Sequence, residues 1–290
     1  MSYLLLTIFL NVLIFALFKL FPRYGVDNLQ AIVVNYMTCV VTGSLFLGEV
    51  PFSVAYISQS WFYWSLLMGA LFIFIFNFIA YSVRKSGLTA TTIANKLSLA
   101  IPVLFSVWWY QEQMNIAKLL GILLAFPAVY LTTKTDAEQE KKNFILPLLL
   151  FIVSGSLDTL VKYVEHHFLE GSAMQSVYLI HVFAVAALIG ILLIILQKSR
   201  NKIRLQGKNI LAGILLGIPN YFSMYYFVRL LNDDFLQSSA AIPVNNMGIV
   251  LLSSLIAIFF FKERTTKMRI IGLVLSILSI LLIFFGDRNG

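Results

Sequence analysis

Residues 95–121 read NKLSLAIPVLFSVWWYQEQMNIAKLLG, and residues 246–272 read NMGIVLLSSLIAIFFFKERTTKMRIIG. In each stretch an asparagine opens an apolar run, a glutamate closes it, and a glycine sits in the next apolar run. The pairs are Asn95 and Asn246, Glu112 and Glu263, and Gly121 and Gly272, each separated by 151 positions. Each stretch closes a set of five membrane-length segments. Five is odd, so a second copy in the same membrane must enter from the opposite side. A duplicated odd-numbered set of helices is the sequence trace of an inverted-topology repeat.

Composition supports a membrane solvent. Of 290 residues, 60% are hydrophobic and only 12% are charged, with mean hydropathy +0.88. A soluble domain carries roughly 25% charged residues, so this chain has too little polar surface to cover a globule in water. The net charge of +8 would suggest nucleic acid in a soluble protein. Here the basic residues lie in loops between apolar runs, and no basic-aromatic platform exists, so they read as topology signals. Cys39 is the single cysteine, which excludes an internal disulfide and a cysteine metal cage.

Spanning about 30 Å of hydrocarbon takes about 20 helical residues. Ten segments qualify, near 2–20, 29–47, 61–83, 88–110, 115–133, 144–164, 173–196, 209–230, 235–261 and 267–286. Residues 2–20 lack a basic leader and a small-residue cleavage site, so they read as a retained first span. Lipid offers no partner to open backbone groups, and the runs are continuously apolar rather than alternating, so the spans are helices and not a β-barrel. The expected fold is therefore an all-α integral membrane protein of ten transmembrane helices in two inverted-topology five-helix repeats, 1–137 and 138–290. Further matches support the duplication: Lys19 with Lys162, and Tyr81/Arg84 with Tyr226/Arg229. Of 21 basic residues, 16 lie in or beside the loops that follow odd-numbered spans and 4 on the other side. The positive-inside rule then puts both termini outside a cell membrane.

The chain at this point resembles the drug/metabolite transporter superfamily, in its ten-helix branch with two EamA-type repeats. Glu112 with Gly121, and Glu263 with Gly272, carry the resemblance. It implies movement of a small metabolite by alternating access, with a cavity lined by the first, third and fourth helices of each repeat. Many members keep both termini in the cytoplasm, whereas the charge count here says the reverse. The rhamnose–proton symporter branch is similar in its basic first and seventh loops.

Charged residues deep in a span are costly, and so are functional candidates. Two qualify, Lys96 and Asp158, at depths of about 12 and 21 Å from the cytoplasmic face by the rise of about 1.5 Å per residue. Both would line the cavity. Asp158 can take up a proton and couple its gradient to substrate movement, or Lys96 can hold an anionic group. The plainer alternative is a permanent ion pair that fixes helix packing. Asn95, Asn245 and Asn246 can hydrogen-bond a ligand or a neighbouring helix, and Pro102 and Pro243 nearby suit broken helices. Asn77, Tyr81, Asn220, Tyr225 and Asn11 complete the candidate lining, with Ser154 and Tyr226 as further possibilities. His181 is read as peripheral, Lys162 as snorkelling toward headgroups, and Glu112 and Glu263 as caps of their own helix hairpins.

The rival classes are an intramembrane enzyme and a passive pore. Glu165, His166, His167 and Glu170 form no H-E-x-x-H, and no Gly-rich nucleotide loop is present. The expectation is a non-enzyme with no cofactor and no metal. Its partners are a small-molecule substrate, protons and the lipid bilayer, with no nucleic acid. The substrate, the direction of transport and the oligomeric state are left open.

Overall fold

The computed structural model describes residues 1–86, 88–133, 145–200, 206–233, 235–260, 262 and 266–288. Glu263, Asp234 and the connection 134–143 lie outside the described residues. Among those described, every regular element is helical. In chain order they are α1 (Ser2–Tyr24), α2 (Asn28–Leu47), a short 3₁₀ turn (Val54–Tyr56), α3 (Phe62–Ser86), α4 (Leu88–Leu97) and α5 (Ala100–Trp109). Then come α6 (Ile116–Thr133), α7 (Ile145–Phe168), α8 (Gly171–Arg200), α9 (Gly207–Leu231), α10 (Ser238–Phe259) and α11 (Lys267–Arg288). Eight of these are long and apolar enough to cross a membrane, and α6 is a shorter apolar helix.

One expected span is corrected. The segment 88–110 is not one helix but two ten-residue helices, α4 and α5, separated at Ser98–Leu99. Pro102 has no N–H to give the Ser98 carbonyl. That carbonyl instead accepts from Ile101 N at 3.0 Å, a tighter turn. The Ser98 hydroxyl turns back to the Asn95 carbonyl at 2.6 Å. Pro243 produces no such break: α10 runs unbroken from Ser238 to Phe259.

The chain packs as two compact units, one of residues 1–9, 75–162 and 230–290, the other of residues 10–74 and 163–229. Each draws helices from both proposed repeats, so packing divides the chain differently from sequence order.

In the first unit, α6 and α11 lie against each other in antiparallel register. A Cβ on Gly121 would stand 2.8 Å from Ile283 N, and one on Gly272 would stand 2.6 Å from Thr132 N. Only glycine permits backbones this close. The Ser279 hydroxyl crosses to the Gly121 carbonyl at 2.7 Å. Beside this pair, Ala125, Ala128 and Val129 of α6 pack with Met247 and Val250 of α10, with Leu97 of α4 against them.

A buried ionic clasp closes one end of that unit. Lys118 and Asp287 are 1% and 4% exposed, and Lys118 Nζ lies 2.6 Å from Asp287 Oδ1. The same ammonium donates to Gln113 O at 3.1 Å and Gln237 Oε1 at 2.8 Å, so its three protons meet three acceptors. Asp287 Oδ2 accepts from Gln237 N at 2.9 Å. Glu112 accepts from Ser238 N at 3.1 Å and from Ser239 N at 2.7 Å, and also from the Ser239 hydroxyl. Two carboxylates thus take the orphan donors of the α10 N-terminus, where the helix dipole favours negative charge. Glu112 is therefore a cap, but of α10 rather than of its own hairpin.

In the second unit, Gly213 and Gly217 of α9 seat that helix on α2. Cβ atoms there would stand 2.7 Å from the Ala31 and Asn35 carbonyls. The four-residue spacing of small residues is a familiar device for close helix contact in lipid. Ile14, Phe21, Ala31, Ala212 and Leu216 form the adjoining core. Asp27 caps α2 through Gln30 N at 2.9 Å, and Gly48 ends it at φ 83°.

Replacing Lys118 by Met should destabilise the protein by about 3–5 kcal/mol, because it strands a buried carboxylate. Equilibrium unfolding in detergent measures this. A loss under about 1 kcal/mol would show the clasp to be dispensable.

Candidate functional site

The break between α4 and α5 sits against α7. A Cβ on Gly155 would stand 2.6 Å from the Ser98 carbonyl and from Ile101 Cδ1. Glycine at 155 therefore lets α7 close over the interrupted backbone, which could not stand open to lipid. One residue earlier on α7, the Ser154 hydroxyl accepts from Asn95 Nδ2 at 2.9 Å. This fixes the last turn of α4 to the middle of α7.

The charges follow from that contact. Asp158 lies one helical turn beyond Ser154, and Lys96 is the neighbour of Asn95. Both are partly buried, and they interact electrostatically. Opposite charges in surroundings of low dielectric attract strongly, and each lowers the cost of burying the other. Leu97, the next residue, packs into the core around Met247. The end of α4 is thus held from two sides, by α7 through polar groups and by α10 through apolar ones.

Other expected residues fall elsewhere. In the first unit, Asn245 is buried and its Oδ1 has no hydrogen-bond partner among the described residues, while Asn246 is partly buried. Asn77 and Tyr81 on α3 are exposed. In the second unit, Asn220 Nδ2 donates to Asn35 Oδ1 at 3.1 Å. The Cys39 thiol donates to the Gly217 carbonyl at 3.3 Å. Tyr225 is buried and stacks on Tyr221, ring centroids 6.3 Å apart and planes within 12°. Asn11 is partly buried on α1. The structure therefore brings Asn95, Lys96 and Asp158 together and places Asn220, Tyr225 and Asn11 in the other compact unit.

Two further expectations need correction or extension. Lys162 does not snorkel: it is 7% exposed, donates to the Leu231 carbonyl at 2.9 Å and lies 5.7 Å above the centre of the Tyr110 ring. It closes the C-terminal end of α9, where carbonyls lack partners. Asn35 was missed by sequence reasoning. An amide inside an apolar span was the available signal. Among the described residues no group of three metal-ligating side chains occurs.

Comparison with known proteins adds to this picture. The EamA-like transporter family matches residues 2–134. A Haemophilus influenzae protein of uncharacterised function is 26% identical over 300 aligned positions, covering 99% of both chains. A protein of known crystal structure superposes with TM-score 0.75 at 15% identity, covering 99% of this chain and 98% of that one, so the two share a fold.

Replacing Pro102 by Ala restores the missing amide and should join α4 to α5. Hydrogen exchange should then show protection at residue 102. Free exchange at that amide would mean that Gly155 and Ser98, not the proline, hold the break.

Proposed function

We propose, from the match of residues 2–134 to the EamA-like transporter family, that the chain is a secondary active transporter. It moves a small polar metabolite across a cell membrane by alternating access, driven by a gradient, with protons as the coupling ion. The observation that carries the proposal is the coupled Lys96–Asp158 pair beside an interrupted transmembrane helix. Substrate sites of secondary transporters are built at interrupted helices. Asp158 carries the exchangeable proton. Lys96 neutralises the carboxylate when the proton leaves, and Asn95 with Ser154 holds the geometry.

The repeat reading is part of the proposal. Two five-helix repeats, 1–137 and 138–290, would have opposite topology. Gly121 against Ile283 and Gly272 against Thr132 support this, because the 151-residue offset maps one contact onto the other, Gly121 to Gly272 and Thr132 to Ile283. The same offset relates two first-turn bonds, Lys118 N to Asn115 Oδ1 at 2.9 Å and Arg269 N to Thr266 Oγ1 at 3.2 Å. Helices equivalent in sequence run antiparallel, as inversion requires. The charge distribution supports termini outside.

A thermal-shift screen of purified protein against metabolites across pH identifies the ligand, since binding raises the melting point by mass action. Uptake of that ligand into proteoliposomes then tests the residues. Lys96→Ala and Asp158→Asn should each lower flux by roughly tenfold or more, the scale of a lost charged contact, and Asp158→Asn should flatten its pH dependence. Wild-type flux and pH response in both variants would sink the proposal, and flux without saturation would favour a pore.

A further inference from the structure

The second compact unit holds a groove that the transport reading does not use. It lies between α3 and α8, covered at one end by the connection that leads from α2 to α3, and its volume is about 390 Å³. Phe62, Ser65 and Leu66 form its α3 wall, and His181, Ala184, Val185 and Leu188 its α8 wall. The second set has the i, i+3, i+4, i+7 spacing of one helix face. Phe52, Ser53, Val54 and Ile57 form the cover.

Depth follows from the neighbours of His181. Its ring centroid lies 5.1 Å from that of Trp61 and 6.1 Å from that of Phe62, where α3 begins. His181 therefore stands at the membrane interface, and the groove runs from there into the bilayer. The cover suits that level. Between Glu49 and Trp61 the only charge is Glu49 itself, and Val50 and Val54 are 72% and 82% exposed. Leu188, farther along the groove, is 66% exposed. An apolar surface open at this depth has hydrocarbon chains as its solvent.

The mouth has a defined polarity. His181 Nδ1 lies 2.8 Å from the Val177 carbonyl, which can only accept, so Nδ1 bears the proton and Nε2 offers a lone pair. The rings of Phe52 and Tyr56, at 5.3 and 5.6 Å from His181, add π faces that attract a cation.

The geometry points to a specific lipid site: one phospholipid lays an acyl chain along Leu66, Val185 and Leu188, and its primary ammonium headgroup donates to His181. The ligand is of the phosphatidylethanolamine class. A choline headgroup has the charge but no proton to donate. Its test does not depend on transport.

Native mass spectrometry of the delipidated full-length protein, titrated with phosphatidylethanolamine or phosphatidylcholine of identical acyl chains, reads the occupancy. One phosphatidylethanolamine should be retained about fivefold more tightly than phosphatidylcholine, the weight of one ordinary hydrogen bond. Ala184→Trp fills the groove and should remove both lipids; Leu188→Trp, at the exposed rim, does the same with less risk to folding. His181→Phe should keep the lipid and lose the preference. Equal retention of the two lipids by the wild type, unchanged occupancy in both tryptophan variants, or a lipid-free dimer covering the groove overturns the assignment.

Discussion

Hydrocarbon offers no hydrogen bonds, so every backbone donor and acceptor that a helix does not satisfy must be met by something else. Each failure costs several kcal/mol. Much of the structure is an answer to that constraint. At the broken span, Ser98 O takes Ile101 N and Gly155 brings α7 over the gap. At the start of α10, carboxylates from Asp287 and Glu112 take three successive amides. At the end of α9, the Leu231 carbonyl takes the Lys162 ammonium. The helices are uniform because the solvent is uniform, and charged side chains serve their ends.

The same solvent separates two kinds of ion pair. Lys118 and Asp287 are almost fully buried, and each proton of the ammonium has a protein acceptor. Such a pair has no coordination left for a ligand, and opening it would strand charges at high cost. Lys96 and Asp158 differ in that both retain exposed surface beside a helix interruption. Burial, rather than the mere presence of charge in a span, distinguishes the clasp from the candidate site.

Apolar periodicity and run length were enough to place the helices, since a span must be about 20 residues long and leaves little freedom. Lys96 and Asp158 were legible for the same reason: intramembrane charge is rare. Ser98–Leu99 was not legible as a break, because Pro102 and Pro243 read alike in sequence. What differs is tertiary: Gly155 of α7 closes over Ser98, whereas α10 runs unbroken past Pro243, as α6 and α9 do past Pro127 and Pro219. Glu112 was legible as a cap, while the helix it caps was not, because that contact crosses 126 residues of chain. The Lys118–Asp287 bond was hidden for the same reason, its partners lying near helix ends where charge carries little information.

Where the matched segments agree, they build scaffold: Gly121 and Gly272 bring two equivalent helices within backbone contact. Where they differ, the difference has a physical sense. Met247, which aligns with Lys96, is fully buried among Ala125, Ala128, Val129 and Val250. α10 is continuous and buried along most of its first half, whereas its counterpart is broken and carries a charge. Burial of Met247 fixes α10 as the wall against which α4 ends, with Leu97 packed on that wall and the charge of the neighbouring Lys96 interacting with Asp158 of α7.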